Sequence, residues 1–504
     1  MKVVSSIPFK KKKLTRVSPE RAKLPTKPQR PELAPLLHPL RKAELLVVHA
    51  IASYILILSA FSKPVTLLQA VGLALICGSF HFLFGLFLLR FHREEVDQFS
   101  KCFAAASISI ITLLIFRLIL YSGFDPEILP LSVATLLFVL VLSQRFAFSA
   151  SSFILILIGL YLYAAGMDPA KPVLILGSGA AIASFTVGRI RKRSTLIKAG
   201  LFIGIAQLIV GLGIMLLKGN GFEWSKPIFL ELLWYFGQGI MVGFLVSGLL
   251  PVVEFMFGVT TDVSLLELSN QNEQPVLKKL LIEAPGTFHH SFIVGLLSEA
   301  AAERIGAHGL LCRVGAYFHD IGKMVKPEYY AENTDLTKSK HEALSPEMSA
   351  LVIASHLKDS LELADYYDLP PCLRAFMTEH HGTSRIEYFY NLALEKAQEK
   401  GIKVDEASFR YPGPKPQSKE TAIVMLADTI EAAVRSQQNP TPSRIKSIVN
   451  DLIWKRLQEG ELDESPLTLR DIKEIGEAFT SVLTGIYHSR PAYPKTLSQD
   501  ANSQ

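Results

Sequence analysis

Charge is scarce in this 504-residue chain, where 19% of residues are charged against 49% hydrophobic and mean hydropathy is +0.29. An average this apolar excludes an ordinary soluble protein, and it excludes intrinsic disorder, which needs low hydrophobicity and high charge. Cysteine is scarce too. Cys77, Cys102, Cys312 and Cys372 stand apart with no CxxC spacing, so neither a disulfide framework nor a thiolate metal site is indicated. No internal repeat shows at periods of 20 to 50 residues. From residue 259 onward, sustained alternation of polar and apolar residues is also missing, which argues against strands there.

The charge that is present is unevenly spread. Residues 1–44 hold 12 Lys/Arg and 3 Asp/Glu, residues 45–258 hold 14 and 9, and residues 259–504 hold 26 and 34. The three parts carry net +9, +5 and −8, so the basic total comes from the first two. It gives no reason to expect a DNA or RNA polymer as partner. Charged residues thin out between 45 and 258 and return afterwards, which places a boundary near residue 258.

A helix needs about 20 apolar residues to cross a bilayer. Eight stretches come close, at roughly 45–62, 65–90, 102–122, 128–144, 147–166, 172–188, 196–217 and 228–257. The first follows 44 polar residues with no small-residue cleavage site after it, so it reads as a span and not a signal peptide. Lys and Arg are retained on the cytoplasmic side. With the N-terminus inside, inner loops carry nine basic residues (Arg90, Arg93, Lys101, Arg145, Arg189, Arg191, Lys192, Arg193, Lys198) and outer loops four (Lys63, Lys171, Lys218, Lys226). Eight crossings return the last 246 residues to the cytoplasm. An odd number would leave them outside.

His81, Arg117, Glu231 and Glu254 fall within the spans, where ionisable groups are functional candidates. Most lie within a turn or two of a predicted end and can snorkel, and no polar stripe marks a transport path. Pro251 is expected to kink or end the last span. The N-terminal tail, with prolines at 19, 25, 28, 31 and 35, reads as an unstructured arm, either solvated or lying on anionic lipid.

Beyond residue 258 the apolar spacing predicts helices over 262–281, 288–306, 309–318, 346–365, 371–380, 386–401, 418–437, 442–458 and 468–488. Irregular stretches interrupt them at 324–344 and 403–417, the latter too rich in proline for a helix interior. His290, His319, His356 and His380 each share a helical face with apolar neighbours, and Asp428 aligns with Val424, Met425 and Ala432. Any one of them has a plain reading as a satisfied core residue. Together they put imidazoles and carboxylates on the inward faces of separate helices, a donor set for two cations such as Mn, Fe or Zn. Asp320 is the member able to bridge two ions. His308, His341 and His488 read as surface residues.

The run His319-Asp320-Ile321-Gly322-Lys323, with His290 before it and His356, His380-His381 and Asp428 after it, resembles the HD superfamily of metal phosphohydrolases. Ala284-Pro285-Gly286-Thr287-Phe288-His289-His290-Ser291, Glu379-His380-His381-Gly382-Thr383, and Phe409 through Glu420 followed by Ala427-Asp428 are similar to the seven-transmembrane HD family of cyclic di-AMP phosphodiesterases, the PgpH type. The likeness runs from about 259 to 490. One departure is plain: the family places a large extracytoplasmic domain between its first span and the other seven, and only Ser62, Lys63 and Pro64 stand there in this chain.

The resemblance implies an all-α fold: a polytopic helical membrane domain of about eight spans, then an all-helical HD phosphohydrolase domain. The implied organisation is a cytoplasmic tail 1–44, membrane domain 45–258, connector 259–285, HD domain 286–490 and a terminal tail 491–504. It implies two divalent ions, Mn or Fe, one held by His290, His319, Asp320 and Asp428 and the other by Asp320, His356 and His380, with His381 ligating or facing substrate. Asp320 and Lys323 would be the catalytic pair, Lys323 meeting a phosphate oxygen. Arg385, Arg410, Lys415 and Lys419 are candidates for the second phosphate, and Tyr388, Tyr390 or Tyr411 for stacking on a base. The implied activity is hydrolysis of cyclic di-AMP to the linear 5′-phosphorylated dinucleotide, at the inner membrane of a bacterium. Other nucleotides (cyclic di-GMP, guanosine tetraphosphate, a dNTP) and a non-catalytic membrane nucleotide sensor remain alternatives, and a homo-oligomer stays open.

Overall fold

The computed structural model describes residues 39–61, 64–96, 99–186, 193–217, 225–334, 340–400 and 403–487. The basic tail before Pro39, the terminal tail with His488, the Ser62-Lys63 pair, and Arg189, Arg191, Lys192 and Lys218 lie outside these residues. Among the described residues there are helices and turns and no strand, apart from one isolated bridge between Arg385 and Arg410. The fold is all-α.

The described residues form nineteen α-helices, nine of them in the first half: α1 (Pro39–Leu58), α2 (Leu67–Phe91), the one-turn α3 (Arg93–Val96), α4 (Phe99–Tyr121), α5 (Leu131–Val141), α6 (Gln144–Ala164), α7 (Ala170–Thr186), α8 (Arg193–Leu217) and α9 (Lys226–Phe257). Each of the eight expected spans meets one of them. Five, at Leu67–Phe91, Lys101–Tyr121, Gln144–Ala164, Ser194–Leu217 and Lys226–Phe257, are long and apolar enough to cross a membrane, while those at Glu44–Leu58, Pro126–Val141 and Ala170–Thr186 are shorter. Their outer faces carry Leu67, Leu68, Phe82, Leu118, Phe244 and Phe255 exposed, which in water would be unfavourable and in lipid is not. The chain is a membrane protein.

Inside the bundle, α5 and α6 supply the largest share of the core, with Leu136, Phe138, Ala147, Ile154 and Leu157 fully enclosed. The expected polar residues do more than snorkel. His81 is buried, donates from Nδ1 to the Cys77 carbonyl at 2.7 Å, and has Nε2 3.1 Å from His49 Nδ1 on α1. Glu231 pairs with Lys171 Nζ at 2.8 Å and accepts from the Tyr235 hydroxyl at 2.6 Å. Pro251 sits within α9 and does not end it. The helix runs six residues further and stops at Gly258, whose φ of 63° lets the chain turn.

Ten helices follow: α10 (Asp262–Leu268), α11 (Pro275–Glu283), α12 (Pro285–Arg304), α13 (Gly309–Phe318), α14 (Pro346–Tyr366), α15 (Pro371–Glu379), α16 (Glu387–Lys400), α17 (Lys419–Arg435), α18 (Pro442–Gln458) and α19 (Leu469–Ile486). One expectation is corrected. The single helix at 262–281 is two, because Pro275 has no N–H to place inside a helix and instead opens α11 as its first residue. Elsewhere the ends fall where the caps put them. Ser345 accepts from Met348 N, and Ser418 and Thr468 close capping boxes with Thr421 and Asp471.

Helix α17 is the centre of this half. Ala422, Ile423, Val424, Met425, Leu426, Ala427 and Ile430 are all buried, against α12, α13, α15 and α18. A helix buried nearly all round must have its polar residues either paired or used. Asp428 and Glu431 are the two that raise the question.

Candidate metal centre

Three helices and two helix ends deliver one cluster. His290 lies in the second turn of α12 and His356 in the middle of α14. His319 and Asp320 follow directly on α13, and His380 and His381 on α15, while α17 brings Asp428. His319 keeps helical backbone angles, and Asp320 leaves them (φ −112°, ψ 16°), which swings its carboxylate inward. Gly322 makes the next turn possible: its N–H donates to Ser360 Oγ at 2.9 Å, and a Cβ there would overlap the His356 carbonyl. The turn therefore lies flat on α14 beside His356.

The ligand-type atoms fall into two groups that share one residue. His290, His319, Asp320 and Asp428 form the first, and Asp320, His356, His380 and His381 the second, each group with atoms within 4.8 Å of one another. Asp320 divides its oxygens between them. Oδ2 is 3.1 Å from His319 Nε2 and 3.9 Å from His290 Nε2, whereas Oδ1 is 3.3 Å from His356 Nε2 and 3.5 Å from His380 Nε2. His356 Nε2 and His380 Nε2 are 3.3 Å apart. Asp428 Oδ1 is 2.9 Å from His290 Nε2, and its Oδ2 is 3.5 Å from His381 Nδ1.

Three histidines are held the same way. His319, His356 and His380 each donate from Nδ1–H to a backbone carbonyl of their own helix, Ala316 at 2.6 Å, Ile353 at 2.7 Å and Phe376 at 2.7 Å. A carbonyl can only accept, so each Nδ1 carries a proton, and Nε2 is the atom each ring turns toward the cluster, free to act as a donor to a cation once it holds no proton of its own. His319 Nε2 and Asp320 Oδ1 are buried without a hydrogen bond, while Asp320 Oδ2 has the Lys323 ammonium beside it. Orphaned buried acceptors of this kind are costly unless something electropositive meets them. Imidazole and carboxylate donors on separate helices fit divalent cations.

Charge in the cluster is tightly linked. Burial opposes a proton on His319, but Asp320 beside it outweighs burial and holds the imidazole up at about 10. Burial, with His380 adding, pushes His356 down to about 4. Burial would raise Asp320, yet His319 and Lys323 hold it well below the usual carboxylate range. Lys323 Nζ is 2.8 Å from Asp320 Oδ2 and 3.0 Å from Glu332 Oε1, and these carboxylates overcome its burial and keep it charged.

The expected substrate-facing residues divide. Tyr411 reaches the cluster, its ring stacked on His381 with centroids 4.1 Å apart. The others are engaged elsewhere. Arg385 binds Glu387 and Glu406 and lies over the Tyr390 ring; Arg410 binds Glu406 and the Thr383 carbonyl. Lys415 donates to the Gly460 carbonyl at 2.9 Å, Lys419 pairs with Asp471 at 2.9 Å, and Tyr388 is exposed. His308 and His341 are less superficial than expected. His308 caps α13 and sits 3.0 Å from Asp262, and His341 donates to the Tyr329 carbonyl.

Three residues at the site were not anticipated. Glu431 contacts His290 Nδ1, Glu332 holds Lys323, and Tyr330 lies beneath the Lys323 ammonium at 5.3 Å. Glu431 was within reach of the sequence, since it lies three residues after Asp428 and shares its helical face. Glu332 and Tyr330 belong to an irregular stretch whose spacing carries no such signal.

Helices packed around an HD cluster, preceded by a helical membrane domain, define a membrane-embedded HD protein, a class in which divalent metal binding is the rule. The family model described as "7TM receptor with intracellular HD hydrolase" matches residues 67–261, and the HD domain model matches residues 287–433. The chain belongs to this seven-transmembrane HD family. It is 36% identical over 446 residues to cyclic-di-AMP phosphodiesterase PgpH of Bacillus subtilis (strain 168), covering 87% of this chain and 61% of that protein. It is 37% identical over 368 residues to the PgpH of Listeria monocytogenes, covering 72% and 50%. The solved HD domain of L. monocytogenes PgpH in complex with cyclic-di-AMP is 44% identical, covers 42% of this chain and 98% of that one, and gives a TM-score of 0.40. The chain thus spans 50 to 61% of the length of the two PgpH relatives.

Proposed function

We propose that this chain is a membrane-anchored, metal-dependent phosphodiesterase that hydrolyses cyclic di-AMP to the linear 5′-phosphorylated dinucleotide. The observation that carries the reading is Asp320, which faces His290 and His319 with one oxygen and His356 and His380 with the other. The PgpH relatives supply the substrate by analogy. His290, His319, Asp320 and Asp428 would hold one ion, and Asp320, His356, His380 and His381 the second, with Mn or Fe suited to such donors. Divalent ions held there would supply an activated water for attack on phosphorus and would neutralise charge on the phosphoryl oxygens.

The chain's own groups do the rest. Lys323, kept charged by Asp320 and Glu332, stands where a phosphate oxygen of a bound dinucleotide would gain a charge-assisted hydrogen bond. Tyr411, braced on His381, offers an aromatic wall against which a base or ribose can lie. Water adds at one phosphorus, the bond to the 3′-oxygen breaks, and that oxygen leaves with a proton. Arg385, Tyr388, Arg410 and Lys415 would meet substrate only by releasing their present partners.

The organisation that goes with this reading is tail 1–44, membrane domain 45–258, connector 259–285, HD domain 286–490 and tail 491–504, with both termini and the HD domain in the cytoplasm. The test uses the purified full-length chain with Mn²⁺ and either cyclic di-AMP or cyclic di-GMP, with an EDTA control and a His319→Ala/Asp320→Ala variant. Metal-dependent opening of cyclic di-AMP, absent in the variant while membrane insertion persists, is expected. Turnover of cyclic di-GMP alone would overturn the substrate, and activity in the double variant would overturn the site.

A further inference from the structure

His290 differs from the other histidines of the cluster in what holds it. His319, His356 and His380 are oriented by carbonyls of their own helices, but His290 Nδ1 meets Glu431 Oε2, a carboxylate on another helix. Both are buried, Glu431 fully and His290 to 2% exposure. Helix α17 therefore grips both edges of one imidazole. Glu431 takes Nδ1, and Asp428, one turn earlier, approaches Nε2 at 2.9 Å.

Glu431 has no other evident reason to be there. Its second oxygen, Oε1, makes no hydrogen bond, and the Arg435 guanidinium is 3.8 Å from it. It lies on α17 between Ile430 and Val434, both members of the apolar core, where a buried carboxylate oxygen without a hydrogen bond is costly. A partner that carries a proton on Nδ1 removes the cost. It also fixes the tautomer, since an Nδ1–H that donates to Glu431 leaves the lone pair on Nε2, facing Asp428 and Asp320.

We infer that Glu431 is a positioning residue that orients His290 and strengthens it as a donor, so that the two ions of the proposed centre are bound unequally. The inference rests on the dinuclear reading given above. The first group has two carboxylates, Asp320 and Asp428, and a histidine backed by a third. The second group has only Asp320 among three histidines, and no carboxylate stands behind His356 or His380. Outer carboxylates on ligating histidines raise ligand basicity, and their loss costs about 10- to 100-fold in metal affinity. The ion at the His290 group is the more tightly held.

The test measures metal, not turnover. Full-length wild type, Glu431→Gln and Glu431→Ala are stripped with EDTA, reloaded with Mn²⁺, and assayed for bound metal per chain against a graded chelator. Wild type is expected to lose its two ions in separate steps. In Glu431→Gln the tighter step weakens by about 10-fold or more and the looser one stays in place. Glutamine keeps the size and the acceptor oxygen but not the charge, so helicity and thermal stability report separately on fold. A variant that folds and releases both ions as wild type does overturns the role of Glu431. Weakening of both steps alike overturns the inequality. A wild type that binds no metal fails the dinuclear reading itself, a distinct result.

Discussion

Gly204 of α8 and Gly239 of α9 stand backbone against backbone, so close that a Cβ on Gly239 would overlap the Gly204 amide, and one on Gly204 the Phe236 carbonyl. Gly200 and Gly243 meet each other one turn along and extend the same seam in that direction. Small residues four apart let membrane helices approach closely, where packing rather than water drives association. Gly239→Val is expected to force α8 from α9 at a cost of about 1–3 kcal/mol, seen as a lower Tm in detergent. Gly213→Ala, with open space around it, serves as the control and should leave Tm unmoved. Equal stability in both variants would contradict the packing.

Glu254, near the end of α9, accepts from Thr261 N at 2.9 Å and from Ser264 Oγ at 2.8 Å across the Gly258 turn. One carboxylate thereby ties the last membrane helix to the first helix of the HD half. Glu254→Ala leaves those donors without their partner, a loss on the order of 1–3 kcal/mol at the connector. Limited proteolysis should cut faster between 258 and 270 in that variant, with the cluster unaffected. An unchanged cleavage rate would mean that the tie is not what holds the connector.

Removing metal should destabilise the second half selectively. Asp320, Asp428 and Glu431 are buried among histidines, and His319 Nε2 and Asp320 Oδ1 lack hydrogen bonds. An ion present at 100 times its Kd adds about 2.7 kcal/mol to stability. EDTA treatment is therefore expected to lower the Tm of the HD half by several degrees, and Mn²⁺ to restore it. A melting curve indifferent to EDTA would speak against metal in this cluster.

In the metal-free protein, two histidines give opposite pH limbs. His356 falls from its ordinary value of 6.5 to about 4, so it binds a proton less readily folded than unfolded. Its contribution is full above pH 6.5 and is lost as pH falls toward 4. His319 rises from 6.5 to about 10, so its contribution is full below 6.5 and is lost as pH climbs toward 10. Denaturant unfolding of EDTA-treated protein should show a maximum between the two limbs. His356→Gln should flatten the acid limb only; an intact acid limb in that variant would assign it to another group.

Much of this was legible in the chain itself. The apolar spacing places α13 at 309–318 and α18 at 442–458, where the structure has them, because each is bounded by a cap or a proline that no packing overrides. His290, His319, His356, His380 and Asp428 could be gathered because each interrupts an apolar face, and polarity on such a face is what periodicity exposes; Asp320 and His381 come with the family resemblance. The break before Pro275 was passed over, although the proline announced it. Arg385 reaches Glu406 across 21 residues, and pairing of that kind leaves no period in sequence, whereas Glu406 and Arg410 stand four apart, a spacing that does signal a pair.

The cluster also has a place in time. Its contributors run from His290 to Asp428, and Asp320, the residue both groups need, faces histidines that are synthesised after it as well as before. During synthesis the membrane helices emerge long before α17 does. Until Asp428 has left the ribosome and α17 has packed against α12, the first group lacks a member and His290 lacks its Glu431 brace. The membrane helices are thus complete while the cluster is not, and the full ligand set arrives late, as a property of the finished molecule and not of any growing part of it.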